Sequence, residues 1–342
     1  MKLSIIMPVY NSVDTVKKSI VSFKKLSEIS NFNCRLFIVD DCSTDQSNIM
    51  IDEIIKSNEN IDLIQNKKNI GPGLSRNKAL EKIRSGYVGF LDSDDVIIPE
   101  NYVKSFNSGS SMKADWITFN GWTESNDVRN EKYDFDRIVD NTKKLTKKCV
   151  RGELDGSVIF SIFSLRLIND NAIRFPAGYY EDIPFIYTAM ILAKKRCISN
   201  EYSYNKINRS GSIVNTISKK HIDGLLDSCV SIKRNFMNRN LSNYKEFESD
   251  YIFGAYGYLA TALIKILTHN ISSKSKIELL NYLYEKKNKF LELRNLPIRT
   301  ETKKDLLTSF FINNYEQQKI NKDLLLEELY QRYDILFKGY YG

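Results

Sequence analysis

The 342-residue chain contains few cysteines and none of the spacings that build a disulfide framework or a structural zinc site. Its five cysteines are scattered, with no Cys-x-x-Cys pair: Cys34, Cys42, Cys149, Cys197 and Cys229. A sparse, odd-numbered set of this kind is typical of reduced thiols and not of a disulfide-rich secreted domain. We therefore expect free cysteines and a cytoplasmic protein.

The sequence also lacks a long uncharged apolar run. The longest such stretch, residues 251–264, is shorter than the roughly 20 residues that a membrane-spanning helix needs. The apolar residues 3–7 are followed at once by Pro8, which favours a short strand over a signal peptide. We expect no membrane span.

Several enzyme signatures are missing as well. Only two histidines are present and no Gly-x-Ser-x-Gly motif occurs, which argues against a serine hydrolase. The first predicted strand does not lead into Gly-x-Gly-x-x-Gly, so a dinucleotide-dependent oxidoreductase is excluded, and the Gly-rich loop of a sugar nucleotidyltransferase is also absent there. The net charge of +8 comes from interleaved acids and bases without a nucleic-acid-binding motif, so we expect no nucleic-acid partner.

What is present in the first hundred residues is an alternation of short apolar runs with helical patterns, as in βα units on a mainly parallel sheet. Strands are predicted at residues 3–7, 34–39, 61–64 and 87–91. Val16, Ile20, Phe23 and Leu26 recur at helical spacing between the first two strands, with Ser12 or Asp14 as the predicted N-cap. Further helices are predicted after residue 45 and near residue 73. The fold class is therefore α/β.

The rest of the chain has a different pattern. From about residue 101 to 213 it is irregular, and we expect long loops there with one strand at 115–119. From His221 onward it reads as helices. We predict a domain at 1–220, with two parts at 1–100 and 101–220, followed by a helical region at 221–342.

Polar residues follow three of the predicted strands. They are Pro8-Val9-Tyr10-Asn11, Asp40-Asp41 and Asp92-Ser93-Asp94-Asp95. In open parallel sheets ligands bind outside the carboxyl ends of the strands, so these clusters should converge on one site. The three carboxylates in four residues suggest a divalent cation, because Mg²⁺ and Mn²⁺ prefer oxygen ligands, although an acidic turn before a helix is an equal alternative for that cluster alone.

A glycine-rich segment, residues 69–77, precedes the third predicted helix. Gly71 permits close approach of the backbone, and Arg76 adds a permanent positive charge near a helix N-terminus. Taken alone, the segment is equally consistent with a tight turn and a surface arginine.

Taken in order, these segments resemble the family 2 glycosyltransferases, inverting enzymes with the GT-A fold that include many bacterial capsule, lipopolysaccharide and teichoic-acid enzymes. The resemblance covers about the first hundred residues, through Ser4–Asn11, Ile38–Asp45, Asn69–Leu80 and Phe90–Asp95. It implies that residues 1–220 form a GT-A catalytic domain with a Rossmann-like, mainly parallel sheet. Within this domain it implies a nucleotide-sugar-binding part at 1–100 and an acceptor and catalytic part at 101–220. It implies Asp94 as a metal ligand in an Asp-x-Asp motif, with Asp92 on the ribose or the metal. The other nucleotide-sugar-binding residues that it implies are Pro8, Val9, Tyr10, Asn11, Asp40, Asp41, Gly71, Arg76 and Ser93.

Downstream, Glu181-Asp182 resembles the Glu-Asp motif that supplies the family's catalytic base. The resemblance implies Asp182 as the base and Glu181 as an orienting residue, although acids at a helix N-terminus have a purely structural explanation too. Arg209 and Ser212 resemble the Arg-x-x-Ser segment that meets the diphosphate. His221 is a candidate third metal ligand, against the commoner structural histidine.

The function implied is transfer of a hexose or N-acetylhexosamine from a nucleotide-sugar, usually a UDP-sugar, to a hydroxyl of an acceptor glycan or lipid-linked oligosaccharide, with Mn²⁺ or Mg²⁺. The alternative is a catalytically inactive GT-A scaffold in a polysaccharide assembly complex. Residues 160–165 depart from the Trp-x-Lys stretch of many relatives, so the acceptor is not carried over. For the C-terminal helices, homo-oligomerisation and peripheral contact with the inner membrane both remain open.

Overall fold

The computed structural model describes residues 1–56, 58–125, 128–131, 142–207, 216–238, 244–317 and 321–338. The chain divides into two compact units. Unit 1 comprises residues 1–145, 156–177 and 181–210, and unit 2 comprises residues 146–155, 178–180 and 211–342. The nine described strands belong to unit 1, and unit 2 is helical.

The first half of unit 1 is a parallel sheet, as predicted. Its strands are β1 (Lys2–Val9), β2 (Asn33–Asp40), β3 (Ile61–Gln65) and β4 (Tyr87–Phe90), in the spatial order β3-β2-β1-β4. Both β2 and β4 pair with β1, so the strand order reverses between β1 and β4. In doubly wound sheets this reversal opens a crevice at the carboxyl ends of the two strands.

The second half of unit 1 corrects the expectation of long loops after residue 101. The sheet continues through β8 (Ser161–Ser164), β6 (Trp116–Ser125), β9 (Arg196–Ile207) and the short β5 (Val96–Ile97), with β7 (Val128–Glu131) paired to β6. β8 is antiparallel to both neighbours, whereas β6 and β9 are parallel. The strand predicted at 115–119 is therefore part of a longer one.

Six of the described helices belong wholly to unit 1: α1 (Val16–Ile29), α2 (Ser47–Ile55), α3 (Pro72–Leu80), α4 (Pro99–Ser111), α6 (Leu165–Asp170) and α7 (Asp182–Leu192). The residues of α5 (Thr142–Val150) are divided between the two units. In α1 the four predicted apolar residues are completely buried, each contributing about 1.5–3 kcal/mol. The predicted N-cap was wrong: α1 begins after Thr15, and the Ser12 hydroxyl bonds elsewhere.

Unit 2 consists mainly of helices, in agreement with the prediction for residues after His221. They are α8 (Lys219–Asn238), α9 (Glu248–Thr268), α10 (Ser273–Lys289), α11 (Leu291–Arg294), α12 (Lys303–Gln317) and α13 (Lys322–Tyr333), followed by a π-helical turn at Asp334–Lys338.

One helical stretch, Lys245–Thr268, is long and apolar enough to cross a membrane by length and composition alone. However, 61% of its most apolar window is buried inside the protein, as in the core helix of a globular domain. Tyr251, Tyr256 and Leu259 are among its buried residues. The chain's five cysteines are free thiols, as expected.

Candidate active site

The loops that follow β1 and β4 are joined at the point where the strand order reverses. Ser12, just after β1, lies 2.8 Å from Ser93, just after β4, through their hydroxyl oxygens. Both serines are buried. The two segments predicted to bind the nucleotide-sugar from opposite sides of the switch point therefore meet directly.

The loop after β1 is also tied to the loop after β2. Asn11 has a positive φ of 48°, and its side-chain oxygen accepts a hydrogen bond of 2.8 Å from the Thr44 amide. Its own amide donates to the Ser43 hydroxyl at 3.1 Å. A short polar side chain tolerates the left-handed backbone because it bonds locally, so Asn11 fixes the shape of this edge.

The adjacent aspartates Asp40 and Asp41 have different environments although both are buried. The Asp40 carboxylate accepts a hydrogen bond from the Ser43 amide at 3.2 Å. Asp41 accepts from the amides of Ile70 (2.9 Å) and Gly71 (2.7 Å) and from the Asn66 side chain (2.8 Å). Asp41 therefore holds the glycine-rich segment against the end of β2.

The glycine-rich segment leads directly into α3. Gly71 has a φ of +88°, which a residue with a side chain adopts only with strain. Gly73 is needed for a different reason: a Cβ there would lie 2.5 Å from Cγ of Glu181 and 2.9 Å from the carbonyl oxygen of Pro176. The close approach of α3 to Glu181 is what brings Arg76, one helical turn later, to the same place.

The centre of the site is the buried guanidinium group of Arg76. One of its terminal nitrogens donates to Glu181 and to Asp182, each at 2.8 Å, and the other donates to Asp92, also at 2.8 Å. The Arg76 side chain is only 4% exposed. The predicted Asp-x-Asp segment and the predicted Glu-Asp segment, 89 positions apart, thus share one arginine.

The electrostatics of this cluster follow from burial of one positive and three negative groups. Although burial opposes its charge, the carboxylates of Asp182, Asp92 and Glu181 raise the pKa of Arg76, which stays protonated. Burial, and then the charge of Asp182, raises the pKa of Glu181 to about 7. Burial also raises the pKa of Asp182, against the opposing effect of Arg76. Such shifts are common in active sites, where acids and bases are tuned towards neutral pH.

The residues of the acidic turn after β4, 92–95, differ in how far they are exposed to solvent. The side chain of Asp92 is 31% exposed, and Asp94 is also partly exposed. Ser93 and Asp95 are buried. Two of the three carboxylates of the turn are therefore accessible to a ligand, whereas Asp95 belongs to the interior.

The remaining predicted residues fall into three groups. Pro8 and Val9 are buried in β1, whereas Tyr10 is 47% exposed beyond its end. His221 lies in unit 2, with Nδ1 2.8 Å from the Ser218 hydroxyl and Nε2 3.1 Å from that of Thr216. Its role as a metal ligand stays a prediction. Arg209 and Ser212 lie outside the described residues.

Three residues near the site were missed by the sequence analysis. Asn66, after β3, donates to both Asp41 (2.8 Å) and the Ser75 hydroxyl (3.0 Å). Tyr204, in β9, contacts the acidic turn, and the positive charge of Lys206 lowers the pKa values of Asp95 and Asp182 against the larger effect of burial. No sequence signal marked β9, because its residues do not alternate between apolar and polar.

Comparison with protein families and curated proteins gives a consistent match. Residues 4–169 match the family model described as Glycosyl transferase family 2. The chain is 29% identical over 212 residues to a poly(ribitol-phosphate) beta-glucosyltransferase of Bacillus spizizenii, covering 60% of this chain and 32% of that protein. It is 38% identical over 93 residues to the putative teichuronic acid biosynthesis glycosyltransferase TuaG of Bacillus subtilis, covering 27% and 36%. The matches thus span roughly a third of the relatives' length.

Comparison with solved structures supports the predicted fold. The chain resembles residues 1–349 of Staphylococcus aureus TarS, solved in complex with UDP-GlcNAc, with a TM-score of 0.69 and 19% identity. The alignment covers 93% of this chain and 92% of that one. The same segment solved with UDP gives a TM-score of 0.63. At this identity the likeness establishes the fold, and the predicted GT-A architecture with a helical C-terminal region is confirmed.

Proposed function

Residues 4–169 of this chain belong to glycosyl transferase family 2, and from that premise we propose that the protein transfers a sugar from a nucleotide-sugar to a hydroxyl of an acceptor glycan. The observation that carries the proposal is the buried Arg76, which joins Asp92 at the end of β4 to Glu181 and Asp182 at the start of α7. Asp92, proposed to act at the leaving group, and Asp182, proposed as the base, thus belong to one hydrogen-bonded cluster.

The donor is proposed to be a UDP-sugar carrying a hexose or N-acetylhexosamine. Its nucleoside would lie at the carboxyl ends of β1 and β2, where Tyr10 is exposed and the Asp40 carboxylate accepts a hydrogen bond from the Ser43 amide. A carboxylate oxygen can accept from a base edge or a ribose hydroxyl. The likeness to TarS, which was solved with UDP-GlcNAc, supports this donor class.

A divalent cation, Mg²⁺ or Mn²⁺, fits the acidic turn. Within the parts of the chain that the structure describes, no three His, Cys, Asp or Glu side chains are grouped to hold a metal. Mg²⁺ typically takes one or two carboxylates and completes its shell with substrate phosphates and water, so the partly exposed Asp94 and Asp92 suffice. When bound, the cation neutralises charge on the departing nucleoside diphosphate.

The chemical step that we propose is a direct displacement. Asp182 removes the proton from the acceptor hydroxyl while that oxygen attacks the anomeric carbon, and the bond from this carbon to the diphosphate oxygen breaks on the opposite face. Configuration at the anomeric carbon is inverted. The raised pKa of Asp182 makes its carboxylate a stronger base than an exposed aspartate.

The acceptor is proposed to be a bacterial cell-envelope glycan, including the polyol-phosphate type that the Bacillus spizizenii relative is named for. The net charge of +8 favours a polyanionic acceptor, since a positive field raises the local concentration of anions. The proposed location is the cytoplasm, with peripheral contact at the inner membrane or homo-oligomerisation through unit 2 as further possibilities.

The proposal is tested by following release of nucleoside diphosphate from a panel of nucleotide-sugars, with and without Mn²⁺ or Mg²⁺. The panel is run with the parent protein, with Asp94→Ala and with Asp170→Ala as a matched control, because Asp170 is exposed at the end of α6. We expect one donor to be turned over with metal, even slowly without acceptor. Asp94→Ala should abolish this release and Asp170→Ala should leave it unchanged.

The opposite result is equally informative. If no nucleotide-sugar binds or is turned over with any metal, the enzymatic proposal fails. The catalytically inactive scaffold then becomes the better account of the fold.

A further inference from the structure

Tyr204 of β9 makes an unusual connection to the acidic turn after β4. The residue is completely buried, and its hydroxyl accepts a hydrogen bond of 3.0 Å from the Asp92 amide. The same hydroxyl donates to Asp95 at 2.9 Å. The other oxygen of Asp95 accepts from the Ile207 amide at 2.7 Å. Consecutive hydrogen bonds therefore link the turn, through Tyr204 and Asp95, to the end of β9.

The turn is held from its other side too. The Asp95 amide donates to the Asp92 carbonyl at 3.1 Å, which closes the turn, and the Ser19 hydroxyl of α1 donates to the Asp95 carbonyl at 2.7 Å. With its backbone fixed in this way, Asp92 directs its carboxylate to Arg76. The position of the Asp-x-Asp carboxylates is thus set by groups that lie behind them.

Burial of the Asp95 carboxylate costs free energy of folding. It is 2% exposed, and the carboxylates of Asp92 and Asp94 belong to the same turn. A buried carboxyl group among like charges opposes folding unless its hydrogen bonds compensate. The hydrogen bonds from the Tyr204 hydroxyl and the Ile207 amide provide that compensation.

We propose that Tyr204 and Asp95 are positioning residues that hold the Asp92–Asp94 turn in the geometry needed to bind the donor's diphosphate and its cation. The inference rests on the proposed function, because it assigns the turn to the donor. Neither residue touches the donor. They act through the Asp92 amide and through Ile207, which precedes the segment containing Arg209 and Ser212.

The chain offers a matched control for the Tyr204 hydroxyl. Tyr102 of α4 is also completely buried, and its ring lies 5.1 Å from that of Phe119, as the Tyr204 ring lies 5.5 Å from that of Phe160. Among the described residues, the Tyr102 hydroxyl has no hydrogen-bond partner. Tyr102→Phe therefore removes a buried hydroxyl without changing the turn.

The experiment compares parent, Tyr204→Phe and Tyr102→Phe by hydrogen exchange of the peptide containing Asp92 and by donor turnover at increasing metal concentration. In Tyr204→Phe we expect the Asp92 amide to exchange about 10-fold faster, since it loses its acceptor. Donor kcat/KM should fall by about 10- to 100-fold with a higher metal requirement, as for other residues that orient metal ligands. Tyr102→Phe should match the parent in both measurements.

The proposal is overturned if Tyr204→Phe keeps the parent's exchange and metal dependence, or if Tyr102→Phe changes them equally. If Tyr204→Phe folds poorly, Asp95→Asn takes its place, because the amide oxygen of the new side chain can still accept the hydrogen bond from the Ile207 amide. We expect Asp95→Asn to raise the metal requirement by less than Tyr204→Phe. An unchanged metal requirement in Asp95→Asn would refute the proposal. If the parent protein does not turn over any donor, the proposed function fails, and so does the proposal that the turn binds the donor. If the parent protein turns over a donor and the variants behave like it, only the positioning role fails.

Discussion

Arg76 carries a single positive charge that three carboxylates share, and this imbalance explains much of the site. Breaking a buried ion pair by removing one partner typically costs about 3–5 kcal/mol, because the remaining charge is left without compensation. Here the three acids remain when the arginine is removed. The excess of negative charge also makes the cluster attractive to a further cation.

Arg76→Lys is expected to lower donor turnover by about 100-fold or more, and the melting temperature with it. A lysine ammonium group lacks the planar fork that reaches Asp92 on one nitrogen and Glu181 and Asp182 on the other. Turnover and thermal melting on the same preparation check this. Arg84→Lys is the control, since Arg84 is exposed. Parent-like turnover by Arg76→Lys would mean that charge alone is sufficient.

Glu181→Gln is expected to change how stability depends on pH. Burial raises the pKa of Glu181 to about 7 from its ordinary value of 4.5, so the folded protein binds more protons than the unfolded chain between these values. The contribution of this group to stability is therefore complete below the unfolded pKa and is lost as the pH rises through the folded pKa. Glutamine does not titrate.

The measurement is thermal melting of Glu181→Gln and parent between about pH 4 and pH 8. We expect the variant's melting temperature, relative to the parent's, to rise steadily over this range. A constant difference would show that Glu181 titrates as an ordinary exposed glutamate.

The sequence motifs pointed to most of these residues but not to the contacts that they make within the protein. That Asp41 binds the nucleotide-sugar stays a prediction, and in the structure its carboxylate oxygens accept hydrogen bonds from Asn66, Ile70 and Gly71. A motif records which residue types are present, and it does not record which of their hydrogen-bonding atoms the fold already uses. For the same reason, the motifs did not reveal the hydrogen bond between Arg76 and Asp182, which depends on how distant segments pack in the fold.

At the scale of elements, the position of α3 against Glu181 is the tightest fit in the site. Gly73 allows it, since a side chain there would collide with Glu181 and with the Pro176 carbonyl. Asn77, further along α3, adds a reciprocal pair of hydrogen bonds with the backbone of Phe175, at 2.8 and 3.0 Å. The helix is thereby held in the one place from which Arg76 reaches all three carboxylates.

Gly73→Ala is expected to destabilise the protein by about 1–3 kcal/mol, the usual cost of overpacking, and to lower donor turnover by about 100-fold through displacement of Glu181. Chemical denaturation and turnover assays measure the two effects. Gly257→Ala is the control, because nothing lies within 4 Å of a Cβ at that helical position and alanine favours helices. Equal behaviour of the two variants would contradict the tight fit.

Whether a strand could be predicted from the sequence depended on its pattern of apolar residues and on how far away in the chain its partner strands lie. β1, β2 and β4 were found because each is a short apolar run followed by a polar cluster, the pattern of a parallel strand buried on both faces. β3, at the edge of the sheet, was found from its apolar residues although only Ile61 in it is buried. β8 and β9 were missed, since they pair with distant strands and their sequences do not alternate. Even the Ser12 hydroxyl, predicted as a helix cap, bonds to Ser93 instead, because tertiary contact overrides local preference.

At the scale of the whole molecule, the described residues of the proposed donor site all belong to one of the two units. Unit 1 contains Arg76, Asp92, Glu181 and Asp182, so the proposed donor chemistry belongs to it. Unit 2 contains His221 and the long helix α9. The matched relatives are about three times as long as the segments they share with this chain, so acceptor choice and assembly remain proposals to be tested separately.

The central claim is that Asp182 is the base of a sugar transfer, and it is tested most directly by comparing Asp182→Asn with the parent. Donor binding is measured by calorimetry with metal present, and turnover by release of nucleoside diphosphate in the presence of acceptor. Loss of a general base typically costs 10²- to 10⁴-fold in rate, so we expect turnover to fall by at least about 100-fold while donor affinity stays within about 2-fold. An Asp182→Asn protein that transfers sugar at the parent's rate would contradict the account.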